Sequence, residues 1–373
     1  YNDISSSFRN MGQADSALKY ISYGLEVNRN VAMSKDPKAA ASGKFGVGVN
    51  YCCMGIVYEN QGNYPLAVEY YFKSMKIHNE LVKSAVPLAR KKASEALATV
   101  YTNLGGVFQS NGDYKKALTY NYKALSLYIK HGHVRYEALM YSNIGNAYKA
   151  LKNLDKAIES YKKGIVVANN GGLFADAGYI SGNLGSIYKE AGDSLCKIGQ
   201  MKKAFDSLYP LARQFIDTAY AVSSRFDSWR ESAVWLGIMG DMYTSYGDFA
   251  KAESYLARAL EYASKGGDKG SIRDIYAFLF RLYEQKGDWE KAFVFHTSYV
   301  NIRDSLLNIE SLNEISRKEI NFEYSKKAAA DSLKAVERKR MGETLLHKAR
   351  MQKYFLFTGL GLLLMFGIFM LDR

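Results

Sequence analysis

Up to about residue 300 the apolar positions fall at the three- and four-residue spacing of a helix face, and short polar turns interrupt them. The clearest unit reads Tyr141-Ser142-Asn143-Ile144-Gly145-Asn146-Ala147-Tyr148, then Asn153-Leu154-Asp155-Lys156-Ala157, then Tyr161 and Gly164. The same pattern recurs with its glycine at Gly55, Gly105, Gly185 and Gly240, while Ser5 and Phe280 take that place in the first and last copies. Successive spacings are 50, 50, 40, 40, 55 and 40 residues. A period near 40 with this content predicts seven stacked helical hairpins, an all-α solenoid over residues 1–301.

Each column has a mechanical reason. In the first helix of a hairpin, helix A, an aromatic follows the glycine by three residues: Phe8, Tyr58, Phe108, Tyr148, Tyr188, Tyr243 and Tyr283. It shares the glycine's face, and the glycine lets a second helix come close. Helix B opens with an alanine in every copy: Ala17, Ala67, Ala117, Ala157, Ala204, Ala252 and Ala292. A methyl fits the tight crossing of the two helices, where a larger group would splay them. Between them, Gly62-Asn63, Gly112-Asp113, Gly247-Asp248 and Gly287-Asp288 place a left-handed helix stop beside an N-cap acceptor. Lys152-Asn153 keeps the cap without the glycine, and Gly12-Gln13 and Gly199-Gln200 keep the glycine without a strong cap.

These columns resemble the tetratricopeptide repeat over roughly residues 1–300. The resemblance implies a right-handed superhelix whose helix A residues line a concave groove. Two departures stand out. No proline ends helix B, since the chain has only Pro37, Pro65, Pro87 and Pro210, so helix B can run on. Repeat five carries an insertion around residues 193–198, which separates Gly185 from Ala204 by 19 residues instead of 12.

Beyond residue 301 the pattern changes. Residues 302–353 have no proline and one glycine, Gly342, and read as a polar helical stalk. Ile315, Phe322, Ala329 and Val336 recur every seven residues, a weak heptad that leaves a single solvated helix and a homodimeric stalk both open. From Tyr354 to Leu371 the chain is apolar apart from Thr358, which at 1.5 Å per residue spans about 27 Å, enough for one transmembrane helix. Lys353 and Tyr354 suit an interfacial anchor.

The segment Asn321-Phe322-Glu323-Tyr324-Ser325-Lys326-Lys327-Ala328-Ala329-Ala330-Asp331-Ser332-Leu333, set between repeats and span, resembles a family of bacterial membrane signalling proteins. In that family an extracytoplasmic repeat array is followed by a stalk, a membrane helix and an output module: a histidine kinase, nucleotide cyclase, serine phosphatase or helix-turn-helix. The resemblance implies repeats in the periplasm. Arg338, Lys339, Arg340, Lys348, Arg350 and Lys353 precede the span and only Arg373 follows it, which on the positive-inside rule favours cytoplasmic repeats. The chain opens at Tyr1, four residues before Ser5 as Tyr141 is before Gly145, and stops two residues past the span; it is expected to be a fragment of a longer protein.

Composition adds bounds. The net charge of +13 comes from 50 basic and 37 acidic residues spread along the chain, with no dense basic stripe, so nucleic acid is not an expected partner. Cys52, Cys53 and Cys196 make no disulfide framework, and no phosphate loop, zinc-spaced cysteine set or serine elbow occurs. His131-Gly132-His133 lacks further ligands nearby, and His296 takes a core column. Hence no catalytic residue, metal or cofactor is expected. Binding is the expected role: Asn103, Asn143 and Asn183 fall in one helix A column, with Gln109, Asn146, Lys149 and Lys189 on neighbouring faces. Such amides can hold the backbone of an extended peptide, or bond within the array and set its geometry. The expected function is a protein- or peptide-binding sensor and scaffold of a membrane signalling protein, bound in the groove of repeats three to five. The alternative is a tail-anchored cytoplasmic scaffold ending near Arg373.

Overall fold

The computed structural model describes residues 13–305 and, within the tail, residues 337, 340–345, 347, 348 and 350–353. The chain forms two compact units, Tyr1–Glu314 and Ile315–Arg373. The described residues of the first unit are helical with no strand. Helix B of repeat one is α1 (Ala14–Ala32); its helix A lies outside the described residues. Five helical hairpins follow: α2 (Pro37–Asn60) with α3 (Tyr64–Leu81), α4 (Pro87–Ser110) with α5 (Tyr114–His131), α6 (Val134–Ala150) with α7 (Leu154–Asn170), α8 (Phe174–Lys197) with α9 (Tyr209–Arg225), and α10 (Trp229–Tyr246) with α11 (Phe249–Gly266). The last pairs α12 (Lys269–Lys286) with a helix, α13, described from 289 to 305. Consecutive helices pack against one another throughout, the geometry of a tetratricopeptide-type solenoid.

Glycine at the crossing is a steric requirement. A Cβ on Gly55 would stand 2.5 Å from the Tyr71 ring, on Gly145 2.7 Å from Tyr161, and on Gly240 2.5 Å from Leu256. Gly105 is closed in the same way by Asn121. Ala67, Ala117, Ala157, Ala204, Ala252 and Ala292 are all buried. The helix A aromatic then lies flat on an aromatic of helix B: Tyr58 on Tyr70, Phe108 on Tyr120, Tyr188 on Phe215, Tyr243 on Tyr255 and Tyr283 on Phe295. Centroids are 5.4, 5.5, 5.8, 5.3 and 5.4 Å apart, the offset-stacking range. Repeat four has Ser160 at the helix B position, and Tyr148 instead shares a 3.2 Å hydrogen bond with the Tyr122 hydroxyl.

The turns form as their sequence dictates. Gly62, Gly112, Gly247 and Gly287 have φ of 73°, 78°, 76° and 74°, and Lys152 takes the same left-handed place at φ 60° without being glycine. The next residue caps helix B: Asp113 accepts from the Lys116 amide at 3.1 Å, and Asn153, Asp248 and Asp288 each accept from the amide three residues on at 3.2 Å. Lys116 and Lys251 return ion pairs of 2.8 and 2.7 Å to their capping aspartates. The same lysine column covers the helix A aromatics: the ammonium groups of Lys116, Lys156, Lys251 and Lys291 sit 5.2, 5.4, 5.4 and 5.0 Å from the ring centres of Phe108, Tyr148, Tyr243 and Tyr283. Thus the residue before the column alanine serves both cap and ring.

Repeat five departs from the expected register. Gly185 abuts the Ala212 carbonyl and Ile216, not Ala204, so Ala212 takes the crossing place that Ala252 holds beside Gly240. The Tyr188–Phe215 stack gives the same alignment. The extra residues lengthen both arms: α8 runs on to Lys197, and α9 is preceded by a helical turn Met201–Lys203 and a π-helical segment Ala204–Leu208. In this extension Gly192 faces the ring of Tyr209, whose hydroxyl donates to Asp193 at 2.7 Å. Ala204 is the buried alanine of this second crossing, 12 residues after Gly192.

One continuous core joins Ala138 to Ala292 across repeats four to seven, whereas repeats one to four are served by four smaller clusters. Buried polar side chains occur along the array, among them Asn50, Ser74, His78 and Asn121 in the earlier repeats and Asp241 and Thr244 in the later ones. Among the described residues no helix is long and apolar enough to cross a membrane. The span at 354–371 and most of the stalk at 302–353 lie outside the described residues; 302–305 and the described tail residues are helical.

Candidate binding groove

Helix A of four successive repeats, α6, α8, α10 and α12, lines an open cavity of about 320 Å³. Its floor is apolar: Val234, Gly237 and Ile238 from α10, with Ile275 and Phe278 from α12. Lys149, Ser186, Lys189 and Glu190 form one side, and Ser271 and Asp274 the other. The i, i+3, i+4 spacing of Val234, Gly237 and Ile238 puts them on one face of α10.

The charged side is tied together. Lys149 pairs with Glu190 across the α6–α8 boundary. Lys189 pairs with Asp193 at 2.9 Å on its own helix and with Asp241 of α10, whose side chain is fully buried. Arg281 of α12 closes on the same carboxylate, and also donates to the Asp241 carbonyl at 3.1 Å. A buried aspartate therefore holds cations from repeats five and seven. Burial pulls the Lys189 ammonium down, but the Asp241 and Asp193 carboxylates outweigh it and raise its pKa above the ordinary lysine value.

Of the seven groove residues expected from sequence, Lys149 and Lys189 line this cavity. Asn146 accepts a 2.5 Å hydrogen bond from the Tyr161 hydroxyl and so braces its own hairpin. The Asn103 amide lies 3.6 Å from the Cys52 sulfur of the preceding repeat, the contact of a spacer between helices. Asn143 and Gln109 are half-buried. Asn183 is half-buried too, and its amide nitrogen is buried with no acceptor among the described residues. The cavity thus lies over repeats four to seven, with its floor on side chains that the amide column did not mark.

Other candidate chemistry finds little support in the geometry. Among the described residues no group of three His, Cys, Asp or Glu side chains could hold a metal. The His131 ring nitrogen meets the Ser94 hydroxyl at 2.7 Å, joining α5 to α4. Burial pushes the Cys52 thiol up to about 12, which leaves it protonated and a poor nucleophile at neutral pH. His296, expected in a core column, is instead exposed, with its ring centre 5.0 Å from that of Phe280.

Comparison with known proteins agrees with this architecture. Residues 96–170 match the tetratricopeptide repeat family, so the chain carries such repeats in an all-helical solenoid. Comparison with curated proteins finds no match. Among solved structures, the signal transduction ATPase with numerous domains (STAND) protein PH0952 from Pyrococcus horikoshii, which has a tetratricopeptide repeat sensor, aligns at 16% identity with a TM-score of 0.62. That match covers 86% of this chain and 43% of that one. The apo form of RapI aligns at 12% identity and 0.57, over 83% and 98% of the two chains. Aspartyl phosphate phosphatase F from Bacillus subtilis aligns at 14% and 0.54, over 83% and 75%. At such identities the likeness is one of fold.

Proposed function

We propose that this chain is the sensor and scaffold region of a membrane-anchored signal-transduction protein, and that its groove binds a peptide or protein partner. The observation that carries the binding half is the 320 Å³ cavity on the helix A faces of repeats four to seven. Concave cavities with apolar floors and few polar groups are where ligands settle, and solenoids use their concave faces in this way. The membrane half rests on the apolar run at 354–371 and on the order of repeats, stalk and span. A sensor role for an array of this fold has a parallel in the STAND protein. Partner binding would be relayed through residues 302–353 to the span.

The basic residues ahead of the span favour the second account, a tail-anchored cytoplasmic scaffold without output. Topology separates the two. Single cysteines at the exposed residues Asn170 and Lys265, in a full-length background lacking Cys52, Cys53 and Cys196, are treated in intact cells with an impermeant maleimide. Labelling is expected, and puts the array outside the membrane. Protection relieved by lysis transfers support to the cytoplasmic scaffold. Recovery of the chain in the soluble fraction after an alkaline wash would sink both accounts of the membrane.

A further inference from the structure

We infer that the cavity over Gly237 is an anchor subsite for one large apolar side chain, Leu, Met, Phe or Trp, of an extended segment of a partner protein. This rests on the binding reading above and specifies its chemistry. Every polar group on the wall already has a partner in this chain. Lys149 is paired with Glu190, and Lys189 with Asp193 and Asp241. Asp274 is held by Arg273 at 2.7 Å. The Ser186 hydroxyl donates to the Gly182 carbonyl at 3.0 Å, and that of Ser271 to Asp268 at 2.7 Å. No charge is left for a counter-ion to answer. What the site leaves unmet is apolar contact across Val234, Gly237, Ile238, Ile275 and Phe278.

Gly237 is what makes the room. A Cβ there would meet Ile275 at 3.5 Å and Phe278 at 3.6 Å, ordinary contact distances, so no packing against this chain requires glycine. It differs in this from Gly55, Gly145 and Gly240, where a Cβ has no space. Absence of a side chain at a position that tolerates one leaves a hole in the groove floor. Its volume, about 320 Å³, lies at the lower end of ligand sites, enough for one large side chain and adjoining backbone.

The shape argues for a chain as the occupant. The lining crosses helix A of four successive repeats, an elongated track that an extended segment follows. The paired charges at its two ends, Lys149–Glu190 and Arg273–Asp274, are neutral as pairs, so flanking residues are held without strong charge selection.

The test uses end-blocked decapeptide pools, random except for one fixed central residue, bound to the full chain. Pools fixed as Leu, Met, Phe or Trp are expected to bind at least tenfold tighter than pools fixed as Ser, Asp or Lys. Gly237→Leu should abolish that preference, and Gly237→Ala should retain it. Ile238→Glu, which puts a carboxylate on the floor, should act like Gly237→Leu and covers the case in which that variant melts early. Peptide binding whose apolar preference survives both blocking variants overturns the subsite while leaving peptide binding intact. If no pool binds, the peptide reading itself falls. A concentration-dependent dimer of the native chain that Gly237→Leu dissociates would assign the cavity to a second copy and also overturn the proposal.

Discussion

Asn121 sits where neighbouring hairpins place Tyr71, Tyr161, Ile216 and Leu256 against the helix A glycine, and it is buried with neither amide atom partnered among the described residues. A buried amide without partners costs roughly 1–3 kcal/mol. Asn121→Leu is therefore expected to stabilise the protein by about that amount, read by urea unfolding; a loss of stability would show that the amide is bonded in solution. His78 is the second such residue. It is fully buried, its ring nitrogens have no partners among the described residues, and the Phe45 ring lies 5.3 Å away. Burial lowers its pKa from 6.5 to about 4. The unfolded chain then takes up a proton below pH 6.5 that the folded site refuses down to about pH 4, so stability is full above that window and falls as pH drops through it. At ~1.4 kcal/mol per pH unit the loss from pH 7 to pH 5 is about 2 kcal/mol, and His78→Leu should flatten the profile. An unchanged slope in that variant would assign the acid sensitivity elsewhere. Neither residue was legible as strained in the sequence, because a polar residue in an apolar column declares itself only once its partners are known.

At the scale of the element, the crossing glycine, alanine and aromatic columns could be read from residue types alone, since each answers to a contact inside one hairpin. The lysine ahead of the column alanine went unread, although Lys116, Lys156, Lys251 and Lys291 stand in register. A solvated lysine on a helix is ordinary, and only the ring beneath gives it a role. Repeat five was misaligned for a different reason: its extension repeats the glycine–alanine spacing, so Gly192–Ala204 mimics the true register. The π-helical segment Ala204–Leu208 reconciles the two crossings, placing Ala204, Tyr209 and Ala212 in one buried seam. Deleting the exposed Ser207 should turn this segment into regular α-helix with the seam kept and helicity and melting close to the parent. Deleting Lys162 from α7, which has no such slack, rotates the rest of that helix by about 100° and should unfold its hairpin. Equal damage from both deletions, compared by circular dichroism, would mean the π turn has a further role.

Across the whole array each repeat leans on its neighbours, and repeats five to seven share the Lys189–Asp241–Arg281 network besides the continuous core. Removing the charge from the buried member strands Arg281 and leaves Lys189 with Asp193 alone, a loss of about 3–5 kcal/mol where such pairs have been broken. In Asp241→Asn, amide exchange should quicken in α8, α10 and α12 while α2 to α5 keep their protection, because solenoid contacts run only between neighbours. Uniform quickening along the chain would show that the array unfolds as one unit. The groove was legible as a helix A surface, but its floor was not: Val234 and Ile238, which form it, carry no polar group to mark them in the sequence. A floor depends on which side chains leave space between neighbouring repeats, a relation no single column contains.

The long hairpin of repeat five also bears on how such a chain changes over generations. Its added residues divide between two arms as close to whole helical turns, and the remainder is taken up by a π turn, so the Gly185–Ala212 crossing and the Tyr188–Phe215 stack keep the phase of the other hairpins. Replication slips of arbitrary size would turn one arm's apolar stripe toward water and be lost. Those that add near-whole turns to both arms at once, or that a π turn can absorb, pass unnoticed by the neighbours. Heritable length change in this array is thus filtered by helical phase rather than by size.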